Sequence, residues 1–174
     1  VPATQVGGSA TDTPWVIDKE VTITGGTLAI FTGGIVLGAD VTFKDISLSF
    51  TSNMRNAIMA NGHTLTLENV TCGNHSFNLF GGGLVSSNNE TFTTEIPAPG
   101  SVGTIQIKGN TSLQNNDTYG SGNLYAGNLC MGGMNASANG PDNNGPANTF
   151  SGDSVIIIED CQDVGSVYAC GAQQ

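Results

Sequence analysis

Few residues of this 174-residue chain have both the type and the spacing to do chemistry. Glu159, Asp160 and Asp163, with Asp153 nearby, form its densest group of carboxylates. Two convergent carboxylates at a fixed separation are what glycoside hydrolysis requires. Glu159 and Asp160, however, recur at positions of an internal repeat described below, so the simpler reading of the group is solvated turn acids. His63 and His75 have no Ser, Cys or acidic partner at a spacing that would build a nucleophile and its base, and they read as surface histidines. A lyase acting on uronates would need Arg or Lys as base. With Lys44 and Lys108 placed in a structural column below, Arg55 alone is a poor start. No P-loop, Cys-x-x-Cys pair or GGxGxD calcium array occurs, so the sequence implies no cofactor and no metal.

Four cysteines, Cys72, Cys130, Cys161 and Cys170, permit two disulfides among three connectivities. The pairs Cys161–Cys170 and Cys72–Cys130 are the candidates. Against the first stands the alignment of Cys161 with Ile46 and Val70 in an apolar column, where a thiol behaves as a small hydrophobe.

Composition bounds the partners. Four Lys+Arg against 14 Asp+Glu give a formal net charge of -10, which repels phosphate backbones and anionic membranes. Nucleic-acid binding and polyanionic substrates are therefore not expected. The apolar runs are far shorter than the ~20 residues that cross a bilayer, so no membrane insertion is expected. The opening "VPATQVGGSATDTPW" has neither the basic nor the apolar region of a signal peptide, and the chain reads as one mature domain over 1–174 or a piece of a larger protein.

The elements that must position these residues are strands. The 25 glycines, with abundant Asn, Thr and Ser, leave no helical window, whereas Val21-Thr22-Ile23-Thr24, Val41-Thr42-Phe43, Leu65-Thr66-Leu67 and Ile105-Gln106-Ile107 alternate with period two. The fold class is all-β.

Two phrases recur in strict alternation. The first is aliphatic, bulky, then small: Ile30-Phe31-Thr32, Ile58-Met59-Ala60, Leu79-Phe80-Gly81, Leu124-Tyr125-Ala126 and Val167-Tyr168-Ala169. The second is apolar-x-apolar followed by a charge: Val41-Thr42-Phe43-Lys44, Leu65-Thr66-Leu67-Glu68, Ile105-Gln106-Ile107-Lys108 and Ile156-Ile157-Ile158-Glu159. Copies lie roughly 20 to 50 residues apart, the excess falling in polar insertions near 84–103 and 128–153. Short strands repeating with variable corner insertions predict a parallel solenoid, each strand stacked on its equivalent in the next coil. A sandwich of hairpins is the alternative, because Asn61-Gly62 could turn a hairpin onto Leu65.

Stacking sets Lys44, Glu68, Lys108 and Glu159 in one outward column of alternating sign, which fixes register more than it stabilises. In the first phrase the aliphatic and small columns are expected inward, leaving Phe80, Tyr125 and Tyr168 in an outward ladder. The opposite parity would bury two tyrosine hydroxyls that each need a partner. The ladder must be covered by the insertions or offered to a partner. Thr22-x-Thr24, Thr64-x-Thr66 and Thr91-x-Thr93 do not share one repeat position, which makes ice binding a remote alternative.

The phrases "NLYAGN", "AIMANGHTLTLENV" and "IIIEDCQDVGSVYACG" resemble those of right-handed parallel β-helix, pectate-lyase-like domains of large bacterial surface proteins. The resemblance covers roughly residues 20 to 174. It implies a single-stranded β-helix with long corner insertions, an extracellular setting, and a non-enzymatic adhesive or stalk module that contacts a host protein or neutral glycan. Phe80, Tyr125 and Tyr168 are the expected ligand-binding residues. A polysaccharide-active hydrolase or lyase domain is the alternative. Cys170, where other copies have Gly or Asn, departs from the pattern.

Overall fold

The computed structural model describes residues 4–6, 14–30, 34–50, 57–86, 102–115, 122–127, 129–131, 152–169 and 172–173; at 4–6, 84–86, 129–131 and 172–173 it describes the backbone. The fold is all-β. The strands are, in order, β1 (Thr4–Val6), β2 (Trp15–Ile17), β3 (Val21–Thr24), β4 (Thr27–Ile30), β5 (Ile35–Leu37) and β6 (Val41–Phe50). Then come β7 (Ala57–Met59), β8 (Thr64–Cys72), β9 (Asn78–Phe80), β10 (Leu84–Ser86) and β11 (Thr104–Lys108). The series ends with β12 (Leu124–Tyr125), β13 (Leu129–Met131), β14 (Val155–Glu159), β15 (Val167–Tyr168) and β16 (Ala172–Gln173). No helix of the described residues is long and apolar enough to cross a membrane.

Three sheets contain them. One is ordered β1-β4-β6-β8-β11-β14 with β3 also on β6, the second β15-β12-β9-β7-β5-β2, and the third β10-β13-β16. Each pairing within them is parallel, and from β5 onward the chain visits the second sheet, then in its later turns the third, then the first. This arrangement is compatible with a β-helix. It excludes the hairpin alternative: Asn61 (φ 50°) and Gly62 (φ 86°) form a turn, but β7 and β8 on either side belong to different sheets.

Register follows the alternation. Val41 pairs with Leu65, Leu65 with Ile105 and Ile105 with Ile156, while Phe43, Leu67, Ile107 and Ile158 form the second inward column. Phe43, Leu65, Leu67, Ile105 and Ile107 are fully buried in the main core. The outward residues Lys44, Glu68, Lys108 and Glu159 stand side by side as expected, with Thr24 at the head of the column.

Directly after this column the backbone bends. Asp45, Asn69 and Asp160 have φ between 50° and 54°, and Gly109 has φ 64°. This is the left-handed region that Gly, Asn and Asp enter most easily. The bend lets one strand serve two partners: β6 pairs with β3 through Val41–Lys44 and with β4 through Ser47–Phe50.

That bend overturns one assignment. Ile30 stands in β4 of the first sheet, opposite Phe50, and the place expected for it in the aliphatic column is held by Ile35, which pairs with Ile58 and Trp15. Residues 30–34 carry the aliphatic, bulky, small phrase, whereas 35–37 read Ile-Val-Leu, so the partner strand and not the phrase puts Ile35 in the column. Phe31 and Thr32 lie outside the described residues.

Parity is as expected. Ile35, Ile58, Leu79, Leu124 and Ala60 belong to the main core, whereas Val36, Met59 and Phe80 are buried but stand apart from it, on the opposite face of the second sheet. That face is covered rather than open at its centre: Met59 is 0% and Phe80 1% exposed. The end of the first insertion returns to the second sheet, where Gly103 N donates to Gly81 O at 2.7 Å, and Val102 is buried. Neither insertion is purely a loop, because β10 and β13 open them and pair with each other in the third sheet.

Candidate functional site

The second sheet presents the candidate site. β9, β12 and β15 place Phe80, Tyr125 and Tyr168 in register. The Phe80 and Tyr125 ring centroids lie 4.7 Å apart with planes at 7°, and those of Tyr125 and Tyr168 lie 4.8 Å apart at 8°. The spacing is that of neighbouring parallel strands, so the rings stack because the backbone stacks. Phe80 is buried, Tyr125 half-buried and Tyr168 40% exposed. Any contact with a large ligand therefore falls to the tyrosines, and above all to Tyr168, the most exposed of the three rings.

Two residues before each ring lies a polar partner on the same face: Asn78, Asn123 and Ser166. Asn123 is the hub. Its N–H donates to Asn78 Oδ1 at 3.0 Å, its Oδ1 accepts from Ser166 N at 2.8 Å, and its Nδ2 donates to the Tyr125 hydroxyl at 3.3 Å. The amide thus fixes the hydroxyl in place. Sequence reasoning missed Asn123, although its position at i−2 from Tyr125 on an alternating strand was the available signal.

A concavity of about 500 Å³ is lined by Ser112, Gln114, Asn115, Gln162 and Asp163, in the segments that precede β12 and β15. Gln114 is clamped by Gly122, donating Nε2–H to its carbonyl at 3.4 Å and accepting from its N–H at 3.0 Å. Asn115 Nδ2 donates to Gly73 O at 3.2 Å and Asn74 O at 2.8 Å. A second cleft, of about 370 Å³, runs along the threonine column Thr22, Thr42 and Thr66 with Glu20 and Asp40 at its side. Thr22 pairs through Thr42 with Thr66, not Thr64, so the Thr-x-Thr pairs are offset by two residues. Thr91-x-Thr93 lies outside the described residues.

The acids are dispersed among structural roles. Glu159 stands in the charge column, Asp160 in the left-handed bend, and Asp163 bridges Ser112 through the backbone. His63 Nδ1 lies 4.0 Å from Asp40 Oδ1. Among the described residues no group of three or more His, Cys, Asp or Glu could hold a metal ion. Arg55 lies outside them.

Cys72 and Cys161 are thiols, so neither candidate disulfide is formed in this structure. Each sulfur is turned toward a neighbouring carbonyl: Cys72 Sγ donates to Ser112 O at 3.4 Å and Cys161 Sγ to Thr111 O at 3.0 Å. Burial raises the Cys161 thiol above its ordinary pKa. Cys170 lies outside the described residues, and for Cys130 the backbone alone is described.

Comparison of the chain with protein-family models, curated proteins and solved structures gave no match.

Proposed function

We propose that the successive visits to the three sheets are coils of a right-handed parallel β-helix, and that this domain is a non-enzymatic adhesive or stalk module of an extracellular surface protein that binds a neutral glycan across Tyr125 and Tyr168. Parallel strands joined by crossovers support the first half, since such connections are right-handed in about 98% of cases. The observation that carries the second half is the stacked ladder, in which Tyr125 is half-buried and Tyr168 40% exposed. A flat ring that meets solvent offers apolar surface to another flat apolar surface, such as the C–H face of a pyranose. The Tyr125 hydroxyl, held by Asn123, offers a fixed polar contact at the edge.

Of the two partner classes expected from the sequence, host protein and neutral glycan, the ladder suits the glycan. Amides and hydroxyls surround it, and the net charge of -10 disfavours sialylated or sulfated sugars. Array screening on neutral and acidic glycans, followed by titration, tests the reading. Tyr168→Ala is expected to weaken binding by about 1 kcal/mol or more with the fold retained, and Tyr168→Phe to keep most of the affinity. Normal binding by Tyr168→Ala, or turnover of a bound polysaccharide, would overturn it.

A further inference from the structure

We infer that the polar concavity is a second sugar subsite, so that the site takes a neutral oligosaccharide rather than a single ring; this rests on Tyr168 being a sugar platform. At about 500 Å³ the concavity falls within the ~300–1,000 Å³ range of small-molecule sites. Every residue lining it is polar, and Asp163 alone is charged.

Its walls are built rather than incidental. The Gln114 amide is clamped at both ends by one glycine, and the Asn115 amide donates to two successive carbonyls. Side chains held in one rotamer lose little entropy when a ligand arrives. Gln162 and Asp163 are exposed at the rim. A carboxylate accepts hydrogen bonds from two adjacent hydroxyls, and a primary amide both donates and accepts, which together match the vicinal diol of a sugar. The same carboxylate repels an acidic sugar.

The concavity and the tyrosine face meet at Gly165. A Cβ there would collide with Asn123 Oδ1 and stand 2.8 Å from Gln114 Nε2, so the amide that anchors Tyr125 and the amide that walls the concavity flank one residue. The concavity thus adjoins the strand face that carries Asn123 and Tyr125, and Tyr168 follows Gly165 by three residues in the chain. Gln162, Asp163 and Tyr168 also come from one short stretch that leads into β15.

The test is calorimetric titration with gluco-, manno-, galacto- and xylo-oligosaccharides of one to four residues, on the native chain, Gln162→Ala/Asp163→Ala and Tyr168→Ala, each checked for fold by circular dichroism. The native chain should bind the di- or trisaccharide of its preferred series at least about tenfold more tightly than the monosaccharide. Gln162→Ala/Asp163→Ala should keep the monosaccharide affinity and lose that gain, whereas Tyr168→Ala should lose both. A gain that survives the double substitution, or no gain with length, overturns the second subsite and leaves the tyrosine reading standing. If no sugar of any length binds the native chain, both readings fall.

Discussion

Glu68 sits between two cations, with Oε1 2.7 Å from Lys44 Nζ and Oε2 3.5 Å from Lys108 Nζ. The hydrogen bond from Lys44 is the largest cause holding its carboxyl below the ordinary value of 4.5, and the same bond raises Lys44 above 10.5. All three side chains meet solvent, so the pairs are screened and serve mainly to fix register. The sign of the pH effect follows from linkage. A depressed carboxyl contributes stability that is fully present above its unfolded value and is lost as pH falls through the folded one. The raised lysine contributes below 10.5 and loses that contribution as pH rises through its folded value. Denaturation midpoints should therefore separate the native chain from Glu68→Gln on the plateau between those limits. The gap should narrow as pH falls from 4.5 through the depressed folded value, and shrink in high salt. A gap independent of both pH and salt would mean that the substitution acts through packing alone.

The element that joins two faces of the fold is the left-handed bend. Asn69 Nδ2 donates to Asp45 Oδ1 at 2.8 Å, and Asn69 Oδ1 accepts from Asn110 N at 3.0 Å, so one side chain ties three neighbouring bends together. Gly109 takes the same place with φ 64°, and a Cβ there would collide with Asn69 Oδ1. Gly109→Ala should cost about 1–2 kcal/mol from the left-handed backbone, and more from the collision. In an Asn69→Ala background the collision term disappears, so the two substitutions should be less than additive in a denaturation cycle. Strict additivity would show that the side chains do not meet. Much of this was legible in the sequence: Asp45, Asn69 and Asp160 align, and the alternating charges give the register. What hid Ile30 was the double pairing of the ten-residue β6, because a reading that ends the phrase at Lys44 never sees Ser47–Phe50 as a second partner surface. The concavity was hidden for a related reason. Its two halves, 112–115 and 162–163, are far apart in the chain and are united by one backbone bridge between Ser112 and Asp163.

For the molecule as a whole, stability should be graded along the sheets rather than uniform. Strands that pair only with neighbours in a stack gain core on both sides at the centre and on one side at an edge. The burial is graded in that sense. Leu65 and Leu67 of β8 are fully enclosed, whereas Ile158 of β14 is 42% and Val167 of β15 52% exposed, although both continue inward columns. Leu67→Ala should cost about 2–5 kcal/mol, the range for large-to-small changes in a closed core. Ile158→Ala removes a side chain already half in water and should cost well under half of that. Amide exchange should follow the same order, slowest in β6 and β8, which pair on both edges, and fastest in β14 and β15. The tyrosine platform at β15 would then lie in a less protected part of the sheet than β7 or β9. A sugar seated on Tyr168 should slow exchange in β15 and β12 more than in β8, because binding protects the opening it opposes. Equal protection factors in β8 and β15 without ligand would show that the sheets open as one cooperative unit, and the graded picture would fail.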